Sequence, residues 1–274
     1  MTNQEEIRAI IEGHATKGDI YNRDEEEEFD KAEIALRALQ KYGDDLIPTL
    51  VDALSNQDVA VRQVAMRLLW EMDTDDESLL PAMLKALEDS NKSVRHGAAG
   101  FVTRFGEKAK AAIPILQSWI ENGDELIRIL AAGSVLKIDP SKSGDLLPVL
   151  IDALDSDGIE QFEAIGQLER LGEMSQAAVP SLKRLLHEDS TVSLSAGDAI
   201  HAITGDPSGS ITVGVALLDH SKWLERYVGC EHLGLLGAMA RPAIPRLKLT
   251  VQNDDNEAVR NRARVALEEI GGGC

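Results

Sequence analysis

The sequence has few cysteines, few aromatic residues and few basic residues, and each shortage excludes a class of protein. Two cysteines, Cys230 and Cys274, cannot form a framework of several disulfides, so packing must hold the fold and a reducing compartment is expected. Aromatic residues make up only 4% of the chain, which favours closely packed helices rich in alanine and leucine. The 28 basic and 47 acidic residues give a formal charge of −19. This charge repels nucleic acid and anionic membrane surfaces, so neither is predicted as a partner.

Long apolar segments are also missing. The first twenty residues lack the basic start and the apolar core of a signal peptide, and no later run approaches the length of a membrane-spanning helix. We therefore expect a cytoplasmic protein whose last residues, 272–274, form a flexible tail.

Signals of catalysis are weak. The sequence contains no His-Glu-x-x-His pair, no Cys-x-x-Cys pair and no glycine-rich phosphate loop. Its six histidines are scattered along the chain, at His14, His96, His187, His201, His220 and His232. We expect no catalytic residues, no metal and no cofactor, and predict that the protein is not an enzyme.

What the sequence does contain is a repeated pair of amphipathic helices. Near the start of each first helix stands a proline, once replaced by threonine, directly after an apolar residue. These positions recur every 32 to 34 residues, at Pro48, Pro81, Pro114, Pro148, Pro180, Thr212 and Pro245. Proline is tolerated in the first turn of a helix, where its missing N–H would be unpaired anyway. One helical hairpin cannot bury its apolar face alone, so successive copies are expected to stack.

The second helix of each copy has its own register. It begins with a column that is mostly arginine: Arg62, Arg95, Arg128, Gln161, Ser193, Arg226 and Arg260. Three residues later the side chain is always small, at Ala65, Ala98, Ala131, Ala164, Ala196, Gly229 and Ala263. Small residues let neighbouring helices approach closely, so this column is predicted to be buried.

A family resemblance follows from these features. The early proline and the Asp-x-x-Val-Arg-like start of the second helix, as in DVAVRQVAMRLL and EAVRNRARVALEEIG, resemble HEAT repeats, in particular the short bacterial HEAT-like repeats of phycobilisome lyases. The resemblance implies an all-α fold, a right-handed α-α superhelical solenoid. We predict a helical capping pair at 1–43, followed by seven repeats within 44–271. Their bounds are 44–76, 77–109, 110–143, 144–175, 176–208, 209–240 and 241–271.

The arginine column is predicted to form a structural ladder. Arg62, Arg95, Arg128, Arg226 and Arg260 are each expected to reach a carboxylate or a carbonyl group in an adjoining turn. Gln161 and Ser193 interrupt this ladder, which predicts altered packing or curvature in the middle copies.

The resemblance to HEAT-like solenoids implies that the opposite side of the second helices lines the concave surface, where we predict a partner-binding groove. The helical wheel assigns to this groove Trp70, His96, Ile129, Leu136, Phe162, Leu194, His201 and Tyr227. Its acidic rim, with Glu163, Glu169, Asp198 and Glu231, favours a protein or peptide that has an apolar stripe and basic flanks. The alternative is that neighbouring helices cover these residues. Trp119 and Trp223 are predicted to fill the core.

The sequence thus favours a non-catalytic scaffold for protein binding. Two alternatives stay open: a HEAT-like enzyme or a protein related to chromophore lyases, and a module that joins copies of the same chain. The HEAT-like deoxyhypusine hydroxylases use repeated His-Glu pairs, whereas here only His187 and Glu188 supply one.

Overall fold

A computed structural model describes residues 3–14, 38–39, 42–43, 46–72, 74 and 76–271 of the chain. Within these ranges the regular structure is helical, and no strand occurs. No helix in this part of the chain is long and apolar enough to cross a membrane. The α-helices, numbered in chain order, are α1 (Asn3–His14), α2 (Leu46–Ala53), α3 (Val59–Glu71), α4 (Leu80–Ala86), α5 (Lys92–Val102), α6 (Ile113–Asn122), α7 (Glu125–Ile138), α8 (Ser143–Asp152), α9 (Ile159–Leu171), α10 (Val179–Leu185), α11 (Ser190–Thr204), α12 (Ser208–Leu217), α13 (Trp223–Leu235), α14 (Ile244–Asn253) and α15 (Glu257–Glu269).

Proline marks the start of several first helices. It lies in the first turn of α4, α6, α10 and α14, where it replaces an N–H group that has no helical acceptor. Pro148 differs because α8 already begins at Ser143, so this proline lies inside the helix.

Side-chain caps begin most second helices. Asp58, Asn91, Asp124, Asp189 and Asn256 each accept a hydrogen bond from a backbone N–H group of the first turn. Two second helices lack such a cap. The residue before α9 is Gly158, with a φ of 68°, and the residue before α13 is Lys222.

The chain forms two compact units, Met1–Lys142 and Ser143–Cys274. In the first unit, α1 packs on α2 and α3, and the second helices α3, α5 and α7 pack in succession. In the second unit, α9 packs on α11 and α13 packs on α15, while α12 lies against both α11 and α13. The predicted all-α fold of stacked helical hairpins is therefore confirmed. Most of the second helix of the predicted capping pair and the tail 272–274 lie outside the described residues.

Small residues lie on the buried face of the second helices. All seven members of the small column are buried, and its six alanines have no exposed surface. At Gly229 an added Cβ would lie 2.8 Å from the Cβ of Leu217 and 2.9 Å from the carbonyl oxygen of Gly214. The close approach of α12 and α13 therefore depends on a glycine at this position.

Candidate functional site

The arginines at the start of the second helices bind the turns of the hairpins. In the first unit, Arg62 Nη1 donates to the carbonyl oxygens of Asn56 and Gln57, at 2.9 and 3.1 Å. Its Nε and Nη2 donate to the two carboxylate oxygens of Asp89 in the next turn, at 2.7 and 2.9 Å. One guanidinium group therefore joins two successive turns.

The same geometry recurs in the second unit. Arg226 Nη1 donates to the carbonyl oxygens of His220 and Ser221, while its Nε and Nη2 bind the carboxylate of Asp254 at 2.8 and 2.9 Å. Arg260 donates to the carbonyl oxygens of Asp254 and Asp255.

The remaining ladder positions are less uniform. Arg95 in the first unit donates to the carbonyl oxygens of Asp89 and Ser90, whereas Arg128 is exposed. In each of the four bonded cases the acceptors are the carbonyl groups six and five residues before the arginine.

The two substituted positions behave differently from each other. Gln161 Nε2 donates to the carbonyl oxygen of Leu154 at 2.9 Å, so the amide replaces part of the missing guanidinium group. Ser193 is too short to reach the turn. Its Oγ donates to the carbonyl oxygen of Ser190, within its own helix, at 3.1 Å.

A cleft of about 700 Å³ lies beside Ser193, in the second unit. We call it the Ser193 cleft. Its walls come from α9, from the start of α11 and the turn before it, from α12 and from the start of α13. They are formed by Phe162, Leu186, His187, Glu188, Asp189, Ser190, Thr191, Ser193, Ala216, Leu217, His220, Lys222 and Glu225. The cleft therefore lies at a turn whose arginine is missing.

A second cleft, of about 470 Å³, adjoins the start of α13. We call it the Trp223 cleft, and it is lined by Ser221, Lys222, Trp223, Leu224, Arg226, Asp255 and Asn256. Lys222 lines both clefts.

Three large apolar side chains on these clefts face solvent. Phe162 is 37% exposed, Trp223 is 47% exposed and Leu224 is 54% exposed. We call these three residues the apolar edge. Apolar side chains that are exposed on the wall of a cleft are candidates for contact with a partner.

The predicted concave groove is wrong at two of its residues. Ile129 and Leu136 are only 1% and 0% exposed, because every residue of α7 from Ile129 to Leu136 is buried. A helix buried on all sides has no free face, so the helical wheel cannot assign one to a groove. The other predicted groove residues are exposed or half-buried: Trp70, His96, Phe162, Leu194, His201 and Tyr227.

Trp70 belongs to the packing of the first unit. Its indole N–H donates to the carbonyl oxygen of Gly97 at 3.1 Å, and its ring meets Phe101 edge to face, with the ring centres 5.8 Å apart. The guanidinium group of Arg104 lies over the Trp70 ring at 4.6 Å. This side chain is therefore committed to contacts within the chain.

The prediction that Trp223 fills the core is also wrong, since almost half of the side chain is exposed. A signal for this was present in the sequence. Trp223 stands three residues before the arginine column, where the other copies carry Val59, Lys92, Glu125, Gly158, Ser190 and Glu257. A column with mostly polar residues indicates an exposed position.

A polar cluster connects α11, α12 and α13. Ser210 Oγ donates to the carboxylate of Asp198, and His232 Nε2 lies 3.6 Å from the same carboxylate. Burial lowers the pKa of His232, while burial and the nearby charge of Asp198 raise the pKa of Glu169. Because the serine donates to the aspartate rather than to the histidine, the cluster does not have the order of a serine–histidine–aspartate triad. The described ranges contain no group of three histidine, cysteine or acidic side chains that could hold a metal ion.

Comparison with known proteins supports the helical-repeat fold. The family model for HEAT repeats matches residues 47–137 and 80–162. The structure of the complex of CpcE and CpcF of phycocyanin lyase from Nostoc sp. PCC7120 is similar, with a TM-score of 0.50 and 21% identity over 81% of this chain and 94% of that chain. The crystal structure of an engineered protein matches with a TM-score of 0.41 and 18% identity, over 98% of this chain and 79% of that chain. No curated protein matches the sequence significantly. The matches of the family model show that the chain contains HEAT repeats over residues 47–162, where the structure has stacked helical hairpins.

Proposed function

We propose that the chain is a non-catalytic scaffold whose second unit binds a segment of a partner protein. The observation that carries this proposal is the apolar edge, Phe162, Trp223 and Leu224, which lies on two open clefts. Burial of apolar surface contributes roughly 25 cal/mol per Å², and tryptophan is enriched among the residues that dominate binding energy. A partner that covers the edge therefore gains affinity from these three side chains.

The charges around the clefts favour a basic partner. Glu188, Asp189 and Glu225 line the Ser193 cleft, where Lys222 is the basic residue. Complementary charge speeds association and makes it sensitive to salt. We therefore propose a segment with apolar residues flanked by lysine or arginine.

The non-catalytic part of the proposal is supported by the cluster of Ser210, Asp198 and His232. Ser210 donates its hydrogen bond to the carboxylate of Asp198 and not to His232, so the three residues do not have the order of a serine–histidine–aspartate triad. The structural relative is itself a complex of two proteins, CpcE and CpcF, which supports a protein partner for this chain.

That same relative favours one alternative, a role related to phycocyanin lyase. Incubation of the chain with a bilin, followed by absorbance spectroscopy, tests it. A lasting shift of the absorbance band would favour the alternative, and an unchanged spectrum would favour the scaffold. Self-assembly is tested by light scattering, since a mass that is a multiple of 29.7 kDa would indicate association of identical chains.

Affinity capture from the native host tests the scaffold directly. The informative variant is Phe162→Ser with Trp223→Ser, which removes apolar surface without creating a cavity in the core. The matched control is Leu249→Ser, because Leu249 is 48% exposed on α14 and lines neither cleft. A partner that binds the wild type and the control but not the double variant supports the proposal. Equal capture by all three proteins would contradict it.

A further inference from the structure

We propose that the Ser193 cleft binds an arginine side chain of the partner protein. The partner's guanidinium group would occupy the place that the chain's own arginines occupy in other hairpins. This inference rests on the proposed protein-binding function and names the chemistry that the site recognises.

The pattern of hydrogen bonds in the other turns carries the inference. Arg62, Arg95, Arg226 and Arg260 each use Nη1 to bind the two carbonyl oxygens six and five residues before them. Four hairpins with different turn sequences therefore bind a guanidinium group in the same way.

At Ser193 the corresponding carbonyl groups belong to His187 and Glu188, and both residues line the cleft. Ser193 offers them no donor because its hydroxyl group binds Ser190. The hairpin thus keeps the turn but lacks the side chain that its counterparts use, and open space lies beside it.

The next turn also differs from its counterparts. Asp89 and Asp254, which bind the guanidinium groups of Arg62 and Arg226, each stand six residues before the following arginine. At the Ser193 cleft the equivalent position, six residues before Arg226, is His220. The carboxylate that Asp89 and Asp254 supply elsewhere is therefore missing. Glu188 and Glu225 supply carboxylates on the wall of the cleft instead.

The chemistry of the walls favours arginine over lysine. A guanidinium group has five N–H donors in one plane, which suits a pair of carbonyl oxygens together with a carboxylate. Phe162 adds an aromatic ring, a surface on which guanidinium groups stack. A lysine ammonium group is compact, and its three donors do not lie in a plane.

The test uses N-acetyl-arginine amide as the probe, followed by NMR spectroscopy of the backbone amides of 187–193. We expect shifts that saturate with the arginine probe and binding at least about tenfold weaker with the neutral citrulline counterpart. Ser193→Arg should abolish the shifts because its own side chain fills the site. Ser193→Ala should retain them, because it adds no guanidinium group to the site.

Equal binding of arginine and citrulline, binding that survives Ser193→Arg, or no saturable shift would each overturn the inference. Its failure is distinguishable from failure of the proposed function. Suppose that the variant Phe162→Ser with Trp223→Ser loses the partner, whereas the wild type and Ser193→Arg bind it equally. This result would support the proposed scaffold function and contradict the arginine site.

Discussion

Arg226 and Asp254 connect adjacent turns of the second unit through two parallel hydrogen bonds, 2.8 Å from Nε to Oδ2 and 2.9 Å from Nη2 to Oδ1. Their side chains are only 13% and 5% exposed. Arg62 and Asp89 make the same pair in the first unit. These pairs are bidentate and largely shielded from water, so removal of one partner would leave the other charge uncompensated.

We expect Asp254→Asn to lower the free energy of unfolding by about 2 kcal/mol, because it leaves the shielded guanidinium group of Arg226 without its main counter-charge. Urea unfolding followed by circular dichroism measures the change. Arg128→Ala is the control, since Arg128 is an exposed member of the same column and its loss should cost less than about 0.5 kcal/mol. A value for Asp254→Asn as small as that of the control would contradict the structural role of the ladder.

The contribution of this pair should disappear in acid. The hydrogen bond from Arg226 holds the pKa of Asp254 below its usual value of 3.8. A carboxyl group with a lowered pKa in the folded state stabilises the fold fully above its unfolded pKa, and this stabilisation is lost as the pH falls through the folded pKa. The difference in Tm between the wild type and Asp254→Asn should therefore be constant near neutral pH and shrink below about pH 4. A difference in Tm that grows as the pH falls would contradict this prediction.

Alanine should have opposite effects at two helical glycines. At Gly229 an added Cβ would lie within 3 Å of Leu217 and of the Gly214 backbone, so Gly229→Ala should cost about 1 to 3 kcal/mol through overpacking. At Gly166 the nearest atom is Arg170 Nη1 at 3.6 Å, an ordinary contact. Gly166→Ala should therefore stabilise α9 by up to about 1 kcal/mol, since alanine is the better helix former. Thermal unfolding measures the change in Tm of the two variants. If both variants were more stable than the wild type, the close approach at Gly229 would be refuted.

Cys230 should be chemically inert in the folded protein. Burial raises the pKa of its thiol to about 12, so the reactive thiolate is scarce at neutral pH. The test uses a Cys274→Ser variant treated with iodoacetamide at pH 8. In the time that the urea-unfolded chain needs to react completely, the folded chain should remain unlabelled. Mass spectrometry counts the adducts. Rapid labelling of the folded chain would show that Cys230 is accessible.

The fold could be predicted because its signals are local and repeated. A proline in the first turn marks the start of most first helices, and the small column from Ala65 to Ala263 marks the buried face of the second helices. Each signal follows from the geometry of a single helix, so periodicity alone reveals it.

The site was harder to predict because exposure depends on neighbours. The wheel that placed Ile129 in a groove describes one helix, whereas the burial of α7 arises from what packs around it. The sequence does show that Gln161 and Ser193 interrupt the ladder. Only the structure shows that Gln161 reaches a carbonyl oxygen while Ser193 stands beside a cleft.

The most direct test of the proposed function is the dissociation constant of the captured partner, measured by titration calorimetry. We expect Phe162→Ser with Trp223→Ser to weaken binding at least about tenfold, and Leu249→Ser to change it less than about twofold. Circular dichroism should show the same helicity for all three proteins. Equal affinity of the wild type and the double variant would contradict the assignment of this edge as the binding surface.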